Sequence, residues 1–215
     1  MSEKNSSSAK ENILKKIRQA LAHPVPVPFP KSEGSNSLFQ PIQKDIEVEF
    51  AENFTGLLGK FSFCLDEQDL AQQLKSLAAA KKITSIYCNE EQIKLELGKN
   101  GFDQFKAADL STCEACITSC ELLIARTGSI LMTSAQKSGR TASVYAPIHI
   151  CVAYTNQLVY DIKEGLQFIK EKYSNLPSLI TLATGPSRTA DIEKTLVVGV
   201  HGPKEVYVFL VDKAS

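Results

Sequence analysis

Ten consecutive residues, Thr184-Gly185-Pro186-Ser187-Arg188-Thr189-Ala190-Asp191-Ile192-Glu193, concentrate more potential chemistry than any other stretch of the chain. A glycine there lets the backbone approach a ligand closely, and N–H groups left exposed by the turn can face an anion. Thr184, Ser187 and Thr189 add hydroxyl donors. Arg188 offers a planar, permanently charged fork suited to a carboxylate or a phosphate. Asp191 and Glu193 are suited to a ribose, a metal or Arg188 itself. The same residues equally describe a plain Gly-Pro turn followed by a helix start that Ser and Asp would cap. A second loop, Val200-His201-Gly202-Pro203, repeats the turn chemistry before an apolar stretch and brings a histidine that can donate, accept or titrate near neutrality. Taken singly, a histidine is more often structural than catalytic.

Cysteines form the second constellation. In Cys113-x-x-Cys116-x-x-x-Cys120, three thiolates so close suit an iron–sulfur cluster or a zinc site once a further ligand is found. Spacings of three and four also put all three on one face of a helix, where free cysteine behaves as a small apolar residue. The buried face is the reading favoured, so no intrinsic iron–sulfur cluster is expected. Cys64, Cys88 and Cys151 fall in strand-like apolar runs and read as core. Arg140 lies with Lys137 in a polar loop, Thr133 to Ser143, that either folds over an anionic ligand or is simply solvated. His149 and His201 are both candidates for proton transfer. Glu121 reads as a strand-edge or capping carboxylate, and Tyr87, Tyr145 and Tyr154 as packing residues.

These groups need elements to hold them. Ser8 with Glu11 forms a capping-box pair, and Ile13, Leu14, Ile17, Ala20 and Leu21 follow on one helical face, so residues 1–22 predict an amphipathic helical arm. Pro24, Pro26, Pro28 and Pro30, then Gly34 and Ser35, mark residues 23–46 as a Pro/Ser-rich linker. From 47 to 215 strands and helices alternate, which predicts a single α/β domain with a mainly parallel sheet flanked by helices. Strands are expected at Phe61–Leu65, Ile83–Cys88, Glu121–Ala125, Ile130–Thr133, Ile148–Tyr154, Leu179–Ala183 (a buried one) and Val206–Val211. Asp66 is placed to cap a helix carrying Leu70, Leu74, Leu77 and Ala78, Asn89 with Gln92 a shorter one, and Asp161 to Tyr173 a third. Thr127-Gly128 interrupts a hydrophobic run and predicts a turn between two paired strands. In an open α/β sheet a ligand sits beyond the carboxyl ends of the strands, so the 184–193 turn is expected at that edge.

Composition removes several functions. The 24 Lys and Arg residues balance 24 Asp and Glu, so no global basic field draws nucleic acid or anionic lipid. No apolar run has the length of a membrane-spanning helix, and the polar first residues do not form a secretory core, so a cytoplasmic protein is expected. Its six cysteines are then expected to be reduced.

The run Thr184 to Glu193, continued through Leu196, Gly199, Val200, His201, Gly202 and Pro203, resembles the signature of the lactate utilization protein C family, also called the LUD domain. The resemblance extends to the N-terminal Ile-Leu-x-x-Ile-Arg-x-Ala-Leu helix, to Thr127-Gly128 after a strand, and to Arg140 with Pro147, Ile148 and His149. It implies a fold similar to the ribose-phosphate isomerase and CoA-transferase superfamily. It also implies a part in oxidising L-lactate to pyruvate beside two iron–sulfur subunits, with a small anionic ligand held by Thr127, Gly128, Arg140, Thr184, Gly185, Ser187, Arg188, Thr189, Asp191, Glu193, His201 and Gly202. Two alternatives stand beside this: a non-catalytic assembly partner of iron–sulfur oxidoreductase subunits, and an enzyme similar to CoA-transferases or formyltetrahydrofolate cyclo-ligases. The sequence departs from the family at Arg126, where relatives often carry an acidic residue before the Thr-Gly pair. A carboxylate acting as base or acyl acceptor is not available at that position.

Overall fold

The computed structural model describes residues 11–12, 14–16, 18–19, 44–189 and 197–213. The chain divides into two units, 1–41 and 42–215. In the first unit the described residues are helical, while Ile13, Ile17, Ala20, Leu21 and the proline-rich stretch lie outside the described residues.

In the second unit, five strands form a sheet in which every neighbour is parallel: β1 (Lys60–Cys64), β11 (Glu205–Val211), β6 (Ile148–Tyr154), β3 (Ala115–Thr118) and β2 (Ile86–Tyr87), in that order. Both faces are covered, which is why β6 and β11 read as nearly unbroken apolar runs. One face carries α2 (Glu67–Lys81) and α3 (Glu91–Lys99), packed through Leu70, Leu74, Ile93 and Leu97 against Ile117, Ile150, Val152 and Phe209. Asp66 caps α2 as expected, accepting from the Asp69 amide at 2.7 Å. Asn89 does not cap α3. Glu90 holds the N-cap position, its carboxylate accepting from the Ser119 amide and hydroxyl, and Asn89 donates to the Lys137 carbonyl.

The opposite face carries α1 (Ile46–Gly56) and a second sheet in the order β7 (Leu158–Val159), β4 (Leu122–Ile124), β5 (Ser129–Thr133), β8 (Ile180–Ala183). The β4–β5 hairpin turns at Thr127-Gly128, with Ile124 opposite Ser129, as the interrupted hydrophobic run predicts. Its alternating side chains serve two cores: Leu123, Ile130 and Met132 face α1 and the parallel sheet, while Leu122, Ile124 and Leu131 face α5 (Ile162–Lys172). Asp161 caps α5 by accepting from the Lys163 amide. The helix α1 is not among the elements expected from the sequence. Its signal is only Ile46, Phe50 and Phe54 at spacing four, without a side-chain cap at Asp45.

Two further expectations are corrected. β8 is not a buried strand: it pairs only with β5 at the margin of the second sheet, and its residues are half-buried or exposed. Nor do Cys113, Cys116 and Cys120 share a helix face, because residues 115–118 are the strand β3, whose neighbours β2 and β6 complete its hydrogen bonds. Cys113 and Cys116 are buried beneath the short helix α4 (Ala142–Tyr145), whereas Cys120 lies in the separate core that contains Cys151. Burial pushes the Cys116 thiol well up and Cys64 to about 12, so these groups are neutral and act as packing atoms. Among the described residues no three His, Cys, Asp or Glu side chains come together as metal ligands.

Candidate functional site

The turn after β8 is set by its glycine. Gly185 has φ +107°, and a Cβ there would stand 2.6 Å from the Leu57 carbonyl oxygen, so an L side chain is excluded on both counts. This contact fixes the turn beside residues 57–59, immediately before β1. The turn is therefore at the amino edge of the parallel sheet, not beyond its carboxyl ends. The physical reason is that β8 belongs to the second sheet, antiparallel to β5, so its own carboxyl end says nothing about the parallel one.

From this turn the chain is tied to the approach to β11. The Ser187 amide donates to the Pro203 carbonyl at 3.0 Å, and the Gly199 amide donates to the Ser187 carbonyl at 2.9 Å. A Cβ at Gly202 would lie 2.9 Å from the Ser187 Cβ, so these two residues touch. Arg188 and Thr189 form the two-residue strand β9, antiparallel to β10 (Val197–Val198), with Arg188 opposite Val198 and its side chain exposed. The amides of Lys204 and Glu205 both donate to the Pro147 carbonyl, which locks the approach to β11 onto the approach to β6. Between these segments lies an open groove of about 390 Å³, lined by Val144, Tyr145, Pro147, Gly199, Val200, His201, Gly202 and Lys204.

The residues singled out from the sequence thus separate into groups. Gly185, Ser187, Arg188, His201 and Gly202 come together around the β9–β10 hairpin, with Thr184 half-buried just before them. Asp191 and Glu193 lie outside the described residues. Thr127 and Gly128 belong to a different contact: Gly128 has φ +58°, and a Cβ there would stand 2.5 Å from the Phe54 amide nitrogen. That glycine lets the hairpin press against α1, where Asn53 donates to the carbonyls of Ala125 and Arg126; the Thr127 hydroxyl is shared with Ser129. Arg126 pairs with Asp161 at 2.5 Å, tying the hairpin to the start of α5. Arg140 donates to the Ser178 hydroxyl, at the end of β8 opposite Gly185.

His149 is fully buried on the inner face of β6, its Nε2 2.8 Å from the Thr118 hydroxyl, and burial pushes its pKa down to about 4. It is a neutral structural histidine. Glu121 is more deeply committed than a strand-edge carboxylate. Burial works against its charge, but hydrogen bonds from Lys172, Tyr173 and Thr133, each 2.7 Å long, outweigh that and hold its pKa below the ordinary value. Three groove residues are not among the site residues expected from the sequence: Val144, Tyr145 and Lys204. Tyr145 reads as a packing residue, yet it is 66% exposed. The available signal was the Val-Tyr pair just before Ala146-Pro147, apolar but on a helix of only four residues.

The family model described as LUD domain matches residues 48–211. The chain belongs to the LUD domain family. This LUD domain is 24% identical to an uncharacterized protein of Neisseria meningitidis over 95% of this chain and 94% of that protein. It is 30% identical to lactate utilization protein C of Anoxybacillus flavithermus over 60% of this chain and 57% of that relative, and 35% identical to lactate utilization protein C of Bacillus subtilis over 45% and 42%. The chain therefore spans about half the length of these two lactate utilization relatives. A solved DUF162 family protein from Deinococcus radiodurans is similar in fold, with a TM-score of 0.58 at 20% identity, covering 80% of this chain and 99% of that one. Among the described residues of this LUD domain protein, no helix is long and apolar enough to cross a membrane.

Proposed function

We propose that this LUD domain serves oxidative lactate utilization, as a subunit acting beside iron–sulfur partners, and that it holds a small anionic ligand in the groove at the amino edge of the parallel sheet. The kinship with proteins named lactate utilization protein C supports the pathway. One observation carries the site: the contact of Ser187 with Gly202, which brings the strand that carries Arg188 beside the loop whose His201 and Lys204 line one open recess. Arg188 supplies a permanent fork, Lys204 a point charge and His201 an imidazole N–H donor, three ways of matching a carboxylate or phosphate. The domain spans the arm 1–22, the linker 23–46 and the α/β body 47–215, with the fold related to ribose-phosphate isomerases and CoA-transferases.

Isothermal titration calorimetry of the full chain with L-lactate and with pyruvate tests this reading. Saturable binding of at least one acid is expected, weakened by about tenfold or more in Arg188→Ala, because a charge-assisted hydrogen bond is worth roughly 1.5–3 kcal/mol. Absence of binding by both acids, or unchanged affinity in Arg188→Ala, removes the small-acid reading.

A further inference from the structure

We propose that the groove takes an amphipathic anion with a flat ring system, a ligand larger than a three-carbon acid; this rests on the groove being the ligand site. Size is the first reason. A recess of about 390 Å³ falls in the range that holds drug-sized molecules, roughly 300–1,000 Å³, and lactate or pyruvate would fill only a small part of it. The second reason is what the walls expose. Val144 and Tyr145 from α4 and Val200 from the 199–204 loop are all large apolar side chains left open to solvent, and all three line this recess. A site made only for a small acid gains nothing from them, whereas an aromatic ring gains a stacking face on Tyr145 and apolar contact on both valines.

Charge lies on the same recess, within the loop that supplies Val200. Lys204 is held by the hydrogen bond its backbone amide donates to the Pro147 carbonyl at 2.8 Å, and its stem covers Gly199, so the ammonium projects from an anchored backbone. His201 stands three residues earlier in that loop. The pattern is an apolar, ring-accepting wall meeting a cationic one, the arrangement that binds a ring bearing a phosphate, sulfonate or carboxylate. The chemistry recognised is the combination, and neither half alone accounts for the lining.

Anilinonaphthalene sulfonate, a flat aromatic anion whose fluorescence rises on binding, is the probe, titrated into the full chain. Saturable one-to-one binding is expected. Tyr145→Ser should weaken it about three- to tenfold through the lost ring contact. Lys204→Met, which keeps the stem over Gly199, should weaken it about fivefold and flatten its salt dependence. Leu65→Ser, at a side chain 73% exposed beyond the carboxyl end of β1, should change nothing. Binding that survives both groove variants, or that Leu65→Ser reduces as much, overturns the proposal. Displacement by adenosine monophosphate and by naphthoate then separates phosphate-bearing from carboxylate-bearing ligands, and failure of both to compete also overturns it. The two proposals fail separately. Groove-dependent probe binding with no response to lactate or pyruvate leaves this inference and removes the small-acid reading, and Arg188-dependent pyruvate binding with groove-independent probe binding does the reverse.

Discussion

Acidification should cost this protein stability in two stages, the first set by one residue. His149 lies in β6 opposite Cys116 of β3 and Val206 of β11, its Nε2 bonded to the Thr118 hydroxyl. The neighbouring thiols of Cys116 and Cys151 are neutral, because Cys116 is desolvated by burial and Cys151 is raised by its hydrogen bond with the Cys120 thiol and by burial. Desolvation by burial opposes an imidazolium there and lowers the pKa from 6.5 to about 4. The folded value is depressed, so the unfolded chain takes up the proton first. Stability is intact above pH 6.5 and falls as the pH drops through about 4, by about 3 kcal/mol in all at 1.36 kcal/mol for each pH unit of difference. The paired carboxylates act later. Glu205, desolvated by burial but bonded by Lys60, Lys81 and Tyr207, titrates at about 2, and Glu121 and Asp161 are also lowered, so their contributions are lost only as the pH passes below ordinary carboxylate values. Urea unfolding midpoints measured between about pH 7 and pH 4.5 isolate the histidine. The wild type should lose roughly 2 kcal/mol or more over that window. His149→Gln, whose amide can still bond Thr118 and does not titrate, should give a nearly flat profile. A flat wild-type profile, or an imidazole resonance for His149 titrating near 6.5, refutes the reasoning.

Three further substitutions test how the second sheet is held. Glu121→Ala should cost about 3–5 kcal/mol in urea unfolding, because Thr133 and Tyr173 lose a charged acceptor inside the protein. Lys172→Met should cost less, about 1–2 kcal/mol, because the buried Glu121 carboxylate loses its cation but keeps Thr133 and Tyr173 as donors; comparable losses from the two would show that the ion pair, not the buried acceptor, is what matters. Gly128→Ala should cost about 2–4 kcal/mol, combining left-handed backbone strain with the displacement of α1 that a Cβ against Phe54 requires; a loss under about 1 kcal/mol would mean that α1 yields freely.

Where a signal is local, the sequence reading succeeds. Asp66 and Asp161 cap their helices because a short acidic side chain reaches its own first-turn amides, whatever the rest of the chain does. The runs in β6 and β11 are legible because strands covered on both faces carry almost no polar residues. Where partners are distant, the same rules mislead. The cysteine spacing fits a helix as well as it fits β3, and only pairing with β2 and β6 decides between them. Asn89 is as good a cap as any by type, but Ser119 across the sheet recruits Glu90 to the N-cap position.

By itself, then, the order of residues determined the family, the α/β class and the hairpin turn at Gly128, since these follow from short stretches whose conformational preferences are their own. Tertiary structure decided which of the chemically capable residues meet. Arg188, His201 and Gly202 share one edge with Tyr145 and Lys204, while Gly128 is spent on α1 and Arg140 on Ser178. The cause is that β8 pairs antiparallel with β5 in the second sheet, a long-range choice driven by burying Leu122, Ile124 and Leu131 beneath α5. That pairing delivers the 184–188 turn to the amino ends of β1 and β11, and no local pattern around residue 184 encodes it.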